Sequence, residues 1–475
     1  MFFGAMAWAL VAVYVSFGYG LADNGDYGRI MKPFASMPLG FNENWPEPGS
    51  DAYKVRFWTF WYPDWKPGAE GGNLVQSSAW ALWWPGVALD RALFSDGIRH
   101  LPIVGLPLKA LLLGVLCLVG RGLVRRYGVA GGLLTLVIAW VMFDVASLGY
   151  LNTFYQESAQ VVGCALLAVA LAWWASREPS VRWRSAIYPL CAAFLISTSK
   201  NASFHVVALV AFVLAAYTVR DSTNRNRERL TALVLALIGC LAAGVAFNYA
   251  RGTADMVLDT KMHSFFAGVM TVSKDPKPHF RAEGLPDDAL KCIGESAYSQ
   301  IGRQCRGDYA EKLGYGATIR AVMREPSMIW PLAVAGADGL HVATPFAHRR
   351  TPQYSAMDMN GSALAAWSAF KETHLPRGAA AVLSLGAVVV VSILLFLRGY
   401  SHVLFAGLFA MIASVELVVA ILGAGKIDLD KHLFLANISV DYLLVFCVLG
   451  VAEKWRRTSL TRFAAPVGVV AKSGS

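Results

Sequence analysis

Apolar residues run in blocks too long for a β-strand, and short polar breaks separate the blocks. Ten stand out, at about 2–22, 101–121, 129–149, 158–176, 185–198, 203–220, 230–249, 378–398, 401–424 and 432–452. Most approach the roughly 20 residues that carry a helix across a hydrocarbon layer. The block at 185–198 is the shortest, and Pro189 interrupts it. The pattern predicts an all-α polytopic membrane protein with about ten transmembrane helices. Composition agrees: of 475 residues, 56% are hydrophobic and only 16% charged, which is unusual for a soluble chain of this length.

The polar breaks carry a directional signal. Arg121, Arg125 and Arg126 follow the second block, and Arg177, Arg182 and Arg184 follow the fourth. Arg220, Arg225, Arg227 and Arg229 follow the sixth, and Lys454, Arg456 and Arg457 follow the tenth. Threading ten helices in order puts all of these on one face, which the positive-inside bias makes cytoplasmic. Both termini then lie there too. The net charge of +10 is largely this bias, so it does not point to nucleic acid. The first block has no Lys or Arg before it and ends in Gly20-Leu21-Ala22, which resembles a small-residue cleavage site. Its length and the missing basic start favour a retained helix; cleavage would leave nine helices in the same orientation.

Two long segments remain outside, at about 23–100 and 250–377. They divide the chain into an N-terminal transmembrane module over 1–249 that carries the first outer loop, an extracytoplasmic subdomain over 250–377, and a C-terminal helical part over 378–475. The first loop is rich in Trp (Trp45, Trp58, Trp61, Trp65, Trp80, Trp83 and Trp84). Indoles favour the headgroup layer, so short amphipathic pieces lying along the membrane are expected. In the second, Glu325 to Leu340 is apolar but broken by Pro326 and Pro331, and reads as a helix on or dipping into the surface. Cys292 and Cys305 stand on the oxidising side and are expected to pair. Cys117, Cys164, Cys191, Cys240 and Cys447 sit in apolar blocks as packing residues. No His or Cys cluster has metal-ligand spacing, and no glycine loop precedes a helix in the manner of a nucleotide site. The cytoplasmic breaks are too short for a nucleotide-binding domain. A lipid-borne substrate therefore fits better than a soluble activated donor, and no cofactor is implied.

Chemistry concentrates where helices end on the outer side. After the first block comes Asp23, then Asn24-Gly25-Asp26-Tyr27-Gly28-Arg29. The third and fourth blocks are joined by Tyr150-Leu151-Asn152-Thr153-Phe154-Tyr155-Gln156-Glu157-Ser158, and the fifth and sixth by Ser197-Thr198-Ser199-Lys200-Asn201 with His205. The ninth and tenth are joined by Lys426-Ile427-Asp428-Leu429-Asp430-Lys431-His432. Any one of these is an ordinary solvated turn; four together, bearing carboxylates and cations, suggest one site at the edge of the hydrocarbon. Asp144, Glu416 and Asp441 lie inside apolar blocks. They read first as helix-to-helix hydrogen bonds, and otherwise as ion-coupling groups.

The order of these features is similar to multispanning GT-C glycosyltransferases. Asn24-Gly25-Asp26-Tyr27-Gly28-Arg29 after the first helix, Phe154-Tyr155-Gln156-Glu157, and Asp430-Lys431-His432-Leu433-Phe434 with Asn437 and Asp441 resemble bacterial glycan-biosynthesis hexose transferases of the WsfD type. That resemblance implies a hexose donor on polyprenyl phosphate in a bacterial cytoplasmic membrane, with the active site facing outward. The acceptor would be a glycan or lipid-linked hydroxyl, and the configuration would invert. On this reading Asp26 is the catalytic base, with Asp23 second or orienting the acceptor. Arg29, Lys200, Lys431 and His432 hold the donor phosphate, and Glu157 orients substrate. Phosphate is a good leaving group, so no metal is needed. Two alternatives stay open. One is a transporter or flippase of lipid-linked sugar using Asp144, Glu416 and Asp441. The other is an outer-face ligase or polymerase using His348-Arg349-Arg350.

Overall fold

A computed structural model describes residues 1–21, 26–39, 61–68, 75–220, 225–314, 316–342, 363–400, 403–427 and 429–463. It is a multi-pass helical bundle. Seven helices are long and apolar enough to cross a membrane: Leu101–Tyr127, Glu157–Ala175, Asn201–Arg220, Arg229–Tyr249, Gly378–Leu397, Val403–Ala424 and Phe434–Ala452. Val129–Met142 and Val145–Asn152 make an eighth if taken as one span bent by 48°. Two of the ten expected crossings are thus too short to qualify. Phe2–Ser16 has 15 residues and Ile187–Ser197 has 11, and each ends in a turn, at Phe17-Gly18 and Thr198-Ser199.

The bend at Asp144 has a local cause. The side chain of Asp144 accepts the Ala146 backbone N–H at 2.9 Å, which caps a new helix inside an apolar block. Consecutive helices pack as antiparallel neighbours, Leu101–Tyr127 on Val129–Met142 and Asn201–Arg220 on the helix over 225–249. Phe2–Ser16 lies against the Val129–Met142 helix. At one end of the bundle Arg220 lies over the Phe396 ring at 4.6 Å. The long connecting segments gather at the other end.

That end is closed by the first connecting segment, and here the expectation of surface-lying indoles is corrected. Strands Ala35–Pro38, Asp64–Pro67 and Arg99–His100 form a small antiparallel sheet in that order. Helix Ala79–Leu93 follows the middle strand, and Trp61, Trp65 and Trp83 are buried within the protein. Their ring N–H groups find partners there. Trp61 donates to the Asn152 carbonyl at 3.2 Å, Trp65 to the Tyr62 carbonyl at 2.8 Å, and Trp83 to Ser158 Oγ at 3.1 Å. A buried indole needs such a partner, and helix ends supply two of the three. Trp84 is exposed, while Trp45 and Trp58 lie outside the described residues.

Between 254 and 342 the chain forms short helices stapled by the Cys292–Cys305 disulfide, whose Cα atoms are 5.9 Å apart. A π-helical turn over His263–Gly268 seats this segment on the end of the Val403–Ala424 helix. Lys426 N donates to the Ala267 carbonyl at 3.2 Å. Gly425, at φ 62°, is required there: a Cβ would stand 2.2 Å from the His263 carbonyl. The Ile329–Asp338 helix packs against Gly378–Leu397 and Val403–Ala424.

Candidate functional site

The Asp26 segment reaches its place through aromatic packing. Tyr27–Ile30 is a single helical turn. Buried Tyr27 sits with its ring centroid 4.8 Å from Tyr155, 6.1 Å from Phe154 and 5.5 Å from Trp65, and its hydroxyl donates to the Leu21 carbonyl at 3.0 Å. Tyr150 lies tilted against Phe434 at 4.1 Å and 6.1 Å from Tyr155. One row of rings therefore joins the turn bearing Asp26, the turn before Glu157, and the start of the helix that follows His432. Edge-to-face and tilted rings at these distances hold geometry as well as burying area.

Six of the seven residues singled out in the sequence come together there. Asp26 pairs with Arg29 Nη1 at 2.8 Å, and Lys431 Nζ reaches the other Asp26 oxygen in close contact. Lys200 Nζ pairs with Glu157 Oε1 at 2.9 Å. Half-buried His432 is within electrostatic reach of Lys200, Lys431 and Arg29 on this site and of His263 on the neighbouring segment. Burial first, and then these cations, push its imidazole well below the ordinary range. The charge of the cluster is thus carried by Arg29, Lys431, Lys200, Asp26 and Glu157, with His432 neutral. His263 is itself neutral. Burial lowers it to about 4 against an opposing pull from Asp259, and its Nε2 accepts the Ala297 N–H at 2.9 Å. Asp23, the seventh residue, lies outside the described residues, as do Asp428 and His348-Arg349-Arg350.

Below this cluster the three intramembrane carboxylates part company. Asp144 accepts Ser368 Oγ at 2.7 Å and Ser368 N at 2.9 Å. Asp441 accepts Trp367 Nε1 at 2.9 Å and pairs with Lys371 at 2.7 Å, and Lys371 also donates to Asn437. These partners belong to Ala366–His374, a short helix that enters the bundle between the bent span and the Phe434–Ala452 span. Asn437 and Asp441, which carried part of the family resemblance, are thus engaged by a docked loop helix. Glu416 is different. It is fully buried, its Oε2 has no hydrogen-bond partner, and its nearest titratable neighbour is His205 Nε2 at 3.6 Å. It also lies within electrostatic reach of Lys200 and Glu157.

Lys371, Ser368 and Trp367 were not anticipated. The signal was thin: Trp367, Ser368 and Lys371 share one face of a polar helix that reads as a solvated one, and their partners are distant in sequence. A lysine at that spacing from an indole is a hint only when an acidic residue inside a span needs a partner.

The family described as YfdI N-terminal transmembrane domain matches residues 2–465, and the chain belongs to it. No curated protein and no solved structure matches the chain.

Proposed function

For this member of the YfdI N-terminal transmembrane family, we propose an inverting hexosyltransferase that uses a polyprenyl-phosphate-linked donor. The observation that carries the reading is the triad of Asp26 with Arg29 and Lys431, set beside the Glu157–Lys200 pair at the end of a membrane bundle. The Asp26 carboxylate lies between the two cations, which leaves one positive charge over. A donor phosphate arriving at the membrane edge competes for Arg29, Lys431 and Lys200, which frees Asp26 as a base. Asp26 then takes the proton of an acceptor hydroxyl while that oxygen attacks the anomeric carbon. The bond from that carbon to the phosphate oxygen breaks, and polyprenyl phosphate leaves with the electron pair. The cations stabilise the charge that develops on it. Asp23 is the second carboxylate of this scheme, and Glu157, held by Lys200, orients the sugar. His432 contributes hydrogen bonds to the phosphate, and becomes a cation only if the incoming negative charge raises its proton affinity.

The positive-inside bias supports a cytoplasmic face at Arg121, Arg177 and Arg220 and an outward-facing site in a bacterial cytoplasmic membrane. Ten crossings, counting Phe2–Ser16, the bent pair and Ile187–Ser197, complete a GT-C-like topology. The acceptor is a glycan or lipid-linked hydroxyl. The test is the lipid-linked glycan profile of cells lacking the protein. Accumulated polyprenyl-monophosphate hexose supports transfer. Donor confined to the inner leaflet supports a flippase, and accumulated polyprenyl-pyrophosphate glycan supports a ligase or polymerase.

A further inference from the structure

The helix Gly316–Arg324 has two faces. Ala317, Thr318 and Ala321 are buried, and Thr318 Oγ1 lies 3.1 Å from Ser264 Oγ of the π-helical turn over His263–Gly268. The other face carries Ile319 and Met323, one turn apart, at 54% and 73% exposure. A short 3₁₀ turn over Pro326–Met328 then leads into the Ile329–Asp338 helix, which begins with exposed Ile329 and Trp330. Four large apolar side chains thus stand uncovered in one stretch of chain. Beside them Arg320 Nε donates to Glu283 Oε1 at 3.0 Å, and Arg324 Nη1 donates to the same oxygen at 3.2 Å. Two guanidinium groups share one carboxylate, which leaves one positive charge over.

An apolar face of this kind is poorly served by water and marks a contact. Continuity with the bundle says which contact. The Ile329–Asp338 helix packs on the spans Gly378–Leu397 and Val403–Ala424. A Cβ on Gly336 would meet the side chains of Leu417 and Ile421, in the last two turns of the second span. Gly378, the first residue of the other span, stands against Val334 and Asp338. The helix therefore docks where these two spans end. Gly378–Leu397 turns much of its own surface outward, with Leu383, Val390 and Leu394 exposed, as a span facing lipid does. The apolar stretch is thus held at the edge of the hydrocarbon. Trp and Arg with aliphatic side chains are the residues that suit that level: the indole sits among headgroups, and a guanidinium meets phosphate.

We propose that Ile319, Met323, Ile329 and Trp330 form a foot on which the 254–342 segment rests in the headgroup layer, with the phospholipid surface itself as the partner. The foot stands apart from the transferase reading and holds whether or not that reading does. Its place gives it a role. The π-helical turn on the inner face of Gly316–Arg324 is bonded to Lys426 N, shortly before Lys431 and His432. Lipid contact on the outer face fixes the height of this segment against the cation cluster.

The full chain in lipid nanodiscs tests this, with Cys117, Cys164, Cys191, Cys240 and Cys447 each changed to Ala and the disulfide kept. Met323→Cys carries a bimane label, and Ile319→Cys is the second reporter. Asp287→Cys, exposed in the same segment, is the reference in water. Phospholipids brominated at the headgroup end of their chains should quench the label at 323 and at 319 severalfold more than at 287. Lipid quenching no greater than at 287 overturns the proposal. If iodide then quenches as well as it does at 287, the face stands in water; if neither quencher acts, a second copy or another protein covers it. Trp330→Glu should lower lipid quenching at 323, and an unchanged value overturns a foot shared by the two helices. Thermal melting against wild type checks that each labelled variant is folded.

Discussion

Two polar clusters lie inside this bundle, and they differ in one respect. Around Asp144 and Asp441 every carboxylate oxygen has a partner, supplied by the docked helix over 366–374. Glu416 and His205 instead face each other at 3.6 Å, with no partner from a docked helix. In hydrocarbon an ionisable group is costly wherever it stands. The first cluster offsets that cost with protein partners and so works as a latch, holding a loop helix in the membrane. The second is a pair buried between helices, with only each other to meet. Burial does not tell the two clusters apart; the source of the partner does.

The latch gives the largest expected effect. Lys371→Met strands the Asp441 carboxylate and Asn437 in the bundle, and removing one member of a buried pair costs about 3–5 kcal/mol. Folded protein recovered in detergent should fall sharply. Adding Asp441→Leu should restore much of it, because a well-packed apolar pair tolerates the site. No recovery in the double variant would mean that Lys371 does not act through Asp441. Glu416→Gln, by contrast, should leave recovery and melting close to wild type, since the amide keeps the shape and the hydrogen-bonding capacity of the carboxyl that faces His205.

Next in size is the staple of the 254–342 segment. Cys292→Ser with Cys305→Ser reopens a loop of 13 residues in sequence, worth up to roughly 3 kcal/mol in the chain-entropy model. Proteolysis within this segment should quicken, while binding of polyprenyl phosphate by the bundle should change little. Accelerated unfolding of the transmembrane part would show that the two are more tightly coupled than this.

The smallest effect is set by pH. Burial lowers His263 and His341 to about 4 each. Their unfolded forms bind a proton more readily, so the stability they contribute is complete above about pH 6.5 and is lost as pH falls towards 4. Glu325 follows. Burial alone would raise it, but hydrogen bonds from Ser273, the Lys274 N–H and His279 hold it at about 2. Its contribution is present above the ordinary carboxylate range and is lost as pH falls towards 2. A melting series should thus show two successive acid losses. His263→Gln keeps an acceptor for Ala297 N and should shrink only the first; an unchanged first step would remove His263 from the account.

Hydropathy alone located the apolar blocks, and carboxylates and cations at their ends named six residues that meet in space. Asp26 and Lys431 are far apart in sequence, yet both lie at helix ends on the same side, which counting crossings reveals. The Cys292–Cys305 pair followed from compartment and spacing. Three things were not legible. The bend at Asp144 depends on a cap and on Ser368, which no local pattern couples to it. The burial of Trp61 and Trp83 depends on a free carbonyl and a hydroxyl at helix ends far along the chain, which the indoles' own sequence neighbours do not announce. Asp441 and Glu416 look alike in sequence, each an acid in an apolar run. Only the position of Lys371, against that of His205, tells the one from the other.

The most direct test of the central claim uses the purified chain in proteoliposomes with a labelled polyprenyl-phosphate hexose and a lipid-linked glycan acceptor. Asp26→Asn keeps the shape of the turn and its approach to Arg29 but removes the base. Transfer by this variant should fall by about 10² or more, with the protein still folded and still binding polyprenyl phosphate. Transfer at the wild-type rate by Asp26→Asn would contradict the account.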